Sequence, residues 1–200
     1  EPLAPSPTLA NLSQFRRQLQ QISRTPLDTN EHFHNISLQI ESHFKYPPSY
    51  VAAETPNNFE FASFNLPKSS PAFPELLTLG WATPESLQRR RVNEGSLALS
   101  EFLRIHRLGA IICAPAGNPQ PTLLIAIGVR HNEDPFTYPE IVQLQHVGDL
   151  IDSLIIRSRL AKQAEQTARM EKLAVVSRGL AHDLKNLITP VATFLTHSEQ

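Results

Sequence analysis

Residues 109–130 read GAIICAPAGNPQPTLLIAIGVR, two apolar runs separated by a turn at 117–121 that is rich in glycine and proline. In the second run Leu123, Ile125, Ile127 and Val129 fall on one face of an extended chain. Leu124, Ala126 and Gly128 fall on the other. Both faces are apolar, as a strand needs when it is covered on both sides. The two runs are therefore expected as paired central strands of an antiparallel sheet. Cys113 falls in the first run and reads as a small core residue.

Upstream, residues 1–7 (EPLAPSP) form a proline-rich lead-in that is expected to be extended. Leu9, Leu12, Phe15, Leu19 and Ile22 then recur at helical spacing. Thr29 or Asn30 can cap a second helix that carries Phe33, Ile36, Ile40 and Phe44 and ends at Pro47 and Pro48. SYVAAET and FEFASFN flank a turn at 56–58 and suit a hairpin. Residues 65–95 hold Pro67, Pro71, Pro74 and Pro84 and are expected to be irregular, with a short helix near 85–91. Residues 96–108 read as a further helix. The sum is an α+β domain with one antiparallel sheet and helices packed on a face. Trp81, Phe73 and Phe102 are read as core fillers.

Downstream the texture changes. Of the 17 prolines, 16 lie at or before Pro139, and only Pro190 follows. Between Ile141 and Thr189 only Gly148 and Gly179 interrupt, so one long helix or two nearly continuous ones are expected. Ile141, Leu144, Val147, Ile151, Leu154 and Ser158 keep a three-four spacing, which suits docking on the chain's own domain and also a seam for a partner helix. The stretch AKQAEQTAR (161–169) is small or charged. A second seam, out of step with the first, runs through Leu173, Val176, Leu180, Leu184, Leu187, Val191 and Phe194. A two-chain coiled coil with such a weak middle has two packings of similar energy, through which a twist or slide can pass. The step from Leu180 to Leu184 is a stutter. His182 lies inside it, about 200° around the helix from Leu180, on the side away from the seam.

Composition bounds what the chain can do. Hydrophobic residues make up 40% and charged residues 18%, ordinary for a globular domain, and the formal net charge is −1. No basic field points to nucleic acid. A single cysteine excludes an internal disulfide framework and a multi-cysteine zinc site. No apolar run nears the roughly 18 residues that cross a bilayer. The chain starts at Glu1 and stops in mid-helix at TFLTHSEQ, which reads as a piece of a longer, cytoplasmic protein whose parent could carry a membrane anchor upstream of residue 1. His32, His34, His43, His106, His131, His146 and His197 are scattered and read as surface or half-buried residues, and no metal site is expected among them.

The remaining histidine stands in a chemically suggestive setting. Phosphoryl transfer to an imidazole needs a neutral, exposed attacking nitrogen and a carboxylate that fixes the tautomer from the other side. Asp183 is adjacent to His182, and Asn186 lies one turn on and on the same face. An amide there can position a water.

Two resemblances follow. The strands 109–116 and 122–130, with NEDPFTYPEIVQLQHVGDLIDSLI (132–155) after them, resemble the end of a GAF domain, and the resemblance extends over residues 8–157. The run His182, Asp183, Leu184, Lys185, Asn186, with RGLAHD before it and LIT after, resembles the H-box of the dimerisation and phosphotransfer domain of sensor histidine kinases. It departs from the commonest pattern, because Leu187 stands where proline usually follows the Asn position, and Pro190 comes three residues later. Together these imply a GAF-like sensor domain (8–157), a coiled-coil linker (158–172) and the first helix of a phosphotransfer domain (173–200). The implied roles are His182 as phosphoacceptor, Asp183 as acid or base, and Asn186 as the group that positions water for dephosphorylation. The implied partners are a second copy of the chain, a response-regulator receiver domain, a small-molecule ligand for the sensor domain, and an ATP-binding domain that would bring ATP and Mg. Nothing in the sequence resembles that last domain, so this stretch alone is expected to hold no cofactor and to have no kinase activity. The competing reading is a non-catalytic GAF module that binds a small molecule and dimerises.

Overall fold

The two runs at 109–130 become the strands β5 (Leu108–Ala114) and β6 (Leu123–Gly128), every residue of which is buried. They pair antiparallel, with Ile111 opposite Ala126 and Cys113 opposite Leu124. The computed structural model describes Phe15, Arg17, residues 30–44 and residues 46–198; side chains at 30–32, 43, 44, 53, 183, 186, 187 and 189–198 fall outside the description. The lead-in at 1–7 and most of the helix expected from Leu9 to Ile22 also lie outside the described residues, apart from Phe15 and Arg17, whose backbones are helical.

Helix α1 (Asn30–Phe44) precedes β1 (Ser49–Glu54), β2 (Asn58–Glu60) and β3 (Asn65–Pro67). Helix α2 (Ala72–Leu79), β4 (Trp81–Ala82), α3 (Pro84–Gln88) and α4 (Glu94–Ile105) lead into β5. After β6 comes α5 (Tyr138–Ser198). The six strands stand in the order β3-β2-β1-β6-β5-β4, all antiparallel.

The two-sided apolarity of β6 is used in full, because the sheet carries a core on each face. Ile112, Ile125 and Ile127 meet Ile36 and Ile40 of α1 and Ile141, Leu144, Val147 and Ile151 of α5. Ile111, Cys113, Leu124 and Ala126 meet Leu76 of α2, Leu87 of α3, and Leu99 and Leu103 of α4. Helices therefore cover both faces rather than one. A fully buried Leu or Ile contributes roughly 1.5–3 kcal/mol, so the central strands hold the domain together.

Three further expectations change. The stretch FEFASFN is not one strand: it breaks at residues 61–64 into β2 and β3, which pair with each other. The supposedly irregular residues 65–95 contain α2, despite Pro71 at its N-cap and Pro74 in its first turn. The first turn of a helix has no intrahelical use for those N–H groups, so proline is tolerated there. Gly80 closes the helix with a left-handed φ of 73° and donates its N–H to Leu76 O. The helix expected at 96–108 begins earlier, at Glu94. Asn93 caps it, and Asn93 and Ser96 exchange side-chain bonds to each other's N–H.

The chain divides into two compact units, Glu1–Ser158 and Arg159–Gln200. Among the described residues no helix is long and apolar enough to cross a membrane.

Candidate functional site

The start of α5 is fastened to the first unit at three places. Glu140 Oε2 accepts from Thr137 N and from Thr137 Oγ1, each at 2.8 Å, while its Oε1 accepts from Arg130 Nη2 at 2.5 Å. The Arg130 guanidinium lies 4.5 Å from the Phe136 ring centroid, and Tyr46 meets the same ring edge-on at 5.9 Å. Desolvation pushes the Glu140 carboxyl up, but the Thr137 hydrogen bonds and Arg130 outweigh it, and the net shift is downward. Tyr46 donates to Gln143 Oε1 at 3.1 Å, and burial raises its phenol well above the ordinary value. At the β5–β6 turn, Asp149 Oδ1 accepts from Ala116 N at 2.8 Å and Asp152 accepts from Thr122 Oγ1.

Between these fastenings the helix packs closely on the sheet. A Cβ added at Gly148 would stand 2.7 Å from Ala114 Cβ. Ile141, Leu144, Val147, Ile151 and Leu154 are all buried here. The first of the two expected seams is thus used on the chain's own sheet, where the spacing allowed both roles. It is not available over Ile141–Leu154 to a second helix.

The second unit presents the opposite picture. From Arg159 to His182 every side chain is exposed. Leu160, Met170, Leu173, Val176, Leu180, Leu184 and Ile188 are each more than half exposed. Glu165 and Arg169 form an i,i+4 ion pair at 2.6 Å. His182 is helical and exposed. At about 100° per residue, Leu180 and Leu184 lie on the far side of the helix from it. Asp183 and Asn186 occupy helical positions one residue and one turn further on, but their side chains lie outside the described residues. Arg178 and Lys185, both exposed, stand one turn before and nearly one turn after His182 on its face. Both spacings, i−4 and i+3, can be read directly from the sequence.

The other residues read from the sequence fall into two cores. Phe73 and Phe102 pack against the core beneath α2–α4, whereas Trp81 packs on the α1–α5 side, 6.3 Å from Tyr138. Cys113 is buried, and burial pushes its thiol up to about 12. His106 lies between Phe64 and Phe102, at 4.5 and 4.7 Å, and desolvation lowers its pKa. No group of three or more metal-ligating side chains occurs among the described residues.

No family model matches the chain, and no curated protein matches it. Solved structures do match in fold. A methyl-accepting chemotaxis protein (residues 122 to 287) superposes with a TM-score of 0.57 at 12% identity, over 74% of this chain and 99% of that one. The phycoerythrobilin-bound GAF domain of a cyanobacterial phytochrome superposes with a TM-score of 0.53 at 14% identity, over 78% of this chain and all of the other. The six-stranded antiparallel sheet, covered by helices on both faces and followed by a long helix, is a GAF-like fold.

Proposed function

We propose that this chain is the sensory and phosphoacceptor portion of a two-component sensor histidine kinase. The observation that carries the reading is His182: an exposed imidazole on a helix, turned away from the apolar residues Leu180 and Leu184. In this reading an imidazole nitrogen of His182 attacks the γ-phosphorus of ATP held with Mg by a separate ATP-binding domain. A P–N bond forms as the P–O bond to ADP breaks, and Asp183 accepts the imidazole proton. Arg178 and Lys185 supply positive charge beside the developing phosphoryl dianion. The phosphoryl group then passes to a carboxylate of a response-regulator receiver domain, breaking the P–N bond. Asn186 orients the water that later hydrolyses that acyl phosphate.

The same reading makes the protein a homodimer. An isolated helix with this many exposed apolar residues gains little from propensity alone and needs a partner. The buried residues from Ile141 to Leu154 restrict the pairing surface to the part that begins near Ile156 and Leu160, both exposed. The location expected for such a protein is the cytoplasm.

A second reading, a non-catalytic GAF module that binds a small molecule and dimerises, rests on the GAF-like fold of the first unit alone. His182→Ala in the protein that carries this chain, assayed for phosphotransfer from ATP to its receiver domain, separates the two. Loss of transfer is expected, and undiminished transfer would remove the kinase reading.

A further inference from the structure

Helix α5 is ordered in its charges where its sequence looks least patterned. Continuing the docked seam past Ser158 lands on Ala161, Glu165 and Ala168. Starting two residues later, Leu160, Gln163, Thr167 and Met170 keep a three-four spacing inside the second unit. All four are exposed. At about 100° per residue they share a band roughly 80° wide. The charged residues between Leu160 and Met170 are Lys162, Glu165 and Arg169, and each lies roughly 120° or more from the middle of that band. The Glu165–Arg169 ion pair, at 2.6 Å, thus occupies the back of the helix. Thr167 Oγ1 donates to Gln163 O at 3.0 Å, so its hydroxyl is satisfied within the helix and its methyl group is left for a neighbour to meet.

A band this narrow is the seam of a two-stranded coil, because a helix that docks on a sheet or in a bundle needs a broader apolar face. A second copy of the chain, parallel and in register, fits it by charge as well. Leu160, Gln163, Thr167 and Met170 each meet their own counterpart. Arg159 falls beside the partner's Ala164, and Gln166 beside the partner's Glu171, so no like charges meet. The two Gln163 amides can pair donor to acceptor. A slide by one heptad would set Gln163 against the partner's Met170 and leave a covered amide unpaired, which is unfavourable.

We infer that residues 160–170 form a parallel two-stranded coil with a second copy of the chain, in which Gln163 and Thr167 are polar core layers that fix its register. This coil rests on the homodimer proposed above but not on the role of His182. Polar layers specify alignment and weaken the pairing. The stretch therefore holds two chains in one register without holding them tightly.

Single cysteines placed in the 200-residue chain test the register. Cys113 is buried and stays in place. Under mild oxidation the Gln163→Cys and Thr167→Cys chains should form disulfide-linked dimers at least about fivefold faster than the Glu165→Cys chain, because a seam position faces its own counterpart and a back position does not. An antiparallel pair would instead link the Gln163→Cys and Thr167→Cys chains only when they are mixed. Sedimentation gives an independent readout: Gln163→Leu should tighten self-association at least about tenfold, whereas Glu165→Leu, equally apolar but on the back, should leave it unchanged. Equal linking at all three positions, linking only in the mixture, or equal tightening by the two leucines would each overturn the coil and leave the homodimer standing. A monomeric unsubstituted chain would remove both.

Discussion

Gly148 sits where α5 passes over β5 and β6, with Ala114 Cβ, Ile112 Cδ1 and Ile125 Cδ1 at 2.7, 3.5 and 3.6 Å from the place a Cβ would occupy. Alanine is the better helix former, but here it would push the helix off the sheet. Gly148→Ala should therefore cost about 1–3 kcal/mol in denaturant unfolding. Gly179 has open space at the same position, and Gly179→Ala should instead raise helix stability by roughly 0.5–1 kcal/mol. Opposite signs for two identical substitutions in one helix are the expected result. Glu140 adds a pH term. Its carboxyl is held below the unfolded value of 4.5, so its stabilisation is complete above that pH and is lost as pH falls through the lower folded value. Glu140→Gln should flatten that part of the acid-side loss in unfolding free energy measured against pH. Cys113, with its thiol pushed up to about 12, should resist alkylation by iodoacetamide in the folded chain at mildly alkaline pH and react readily once guanidinium unfolds it.

Elements show where sequence patterns suffice and where they do not. The strands β5 and β6 were legible because every position from Leu123 to Gly128 is apolar, and that can only be satisfied between two layers. Helix α2 was not legible, because Pro71 and Pro74 read as breakers until their place in a helix's first turn is known. The seam in α5 was legible as a periodicity but not as a destination. A three-four spacing is the same whether the helix meets a sheet or another helix, and only the packing of Ile141 to Leu154 on the sheet decides it. The expected dimer therefore rests on the later residues. Sedimentation of the chain should show a self-associating species that Leu173→Glu and Leu180→Glu shift to monomer. A monomer at high concentration in the unsubstituted chain would count against the seam.

Across the whole molecule the two units pose separate questions. The first shares its fold with a methyl-accepting chemotaxis protein and a phytochrome GAF domain at 12–14% identity, low enough that fold alone carries over. Its cleft beside α1 was not legible in the sequence, since α1, β1 and the β2–β3 turn border it only where β2 parts from β1. The second unit's candidate site was legible as a local string, because neighbours on a helix follow from spacing alone. For His182 we propose the receipt of phosphate from ATP. Mapping the phosphorylated residue under neutral conditions, after the chain is incubated with ATP, Mg and its ATP-binding domain, tests that transfer. An acid-labile, alkali-stable phosphate is expected on the peptide containing His182, absent when the ATP-binding domain is withheld. Phosphate on a different residue, or none at all while the receiver domain is still phosphorylated, would contradict it.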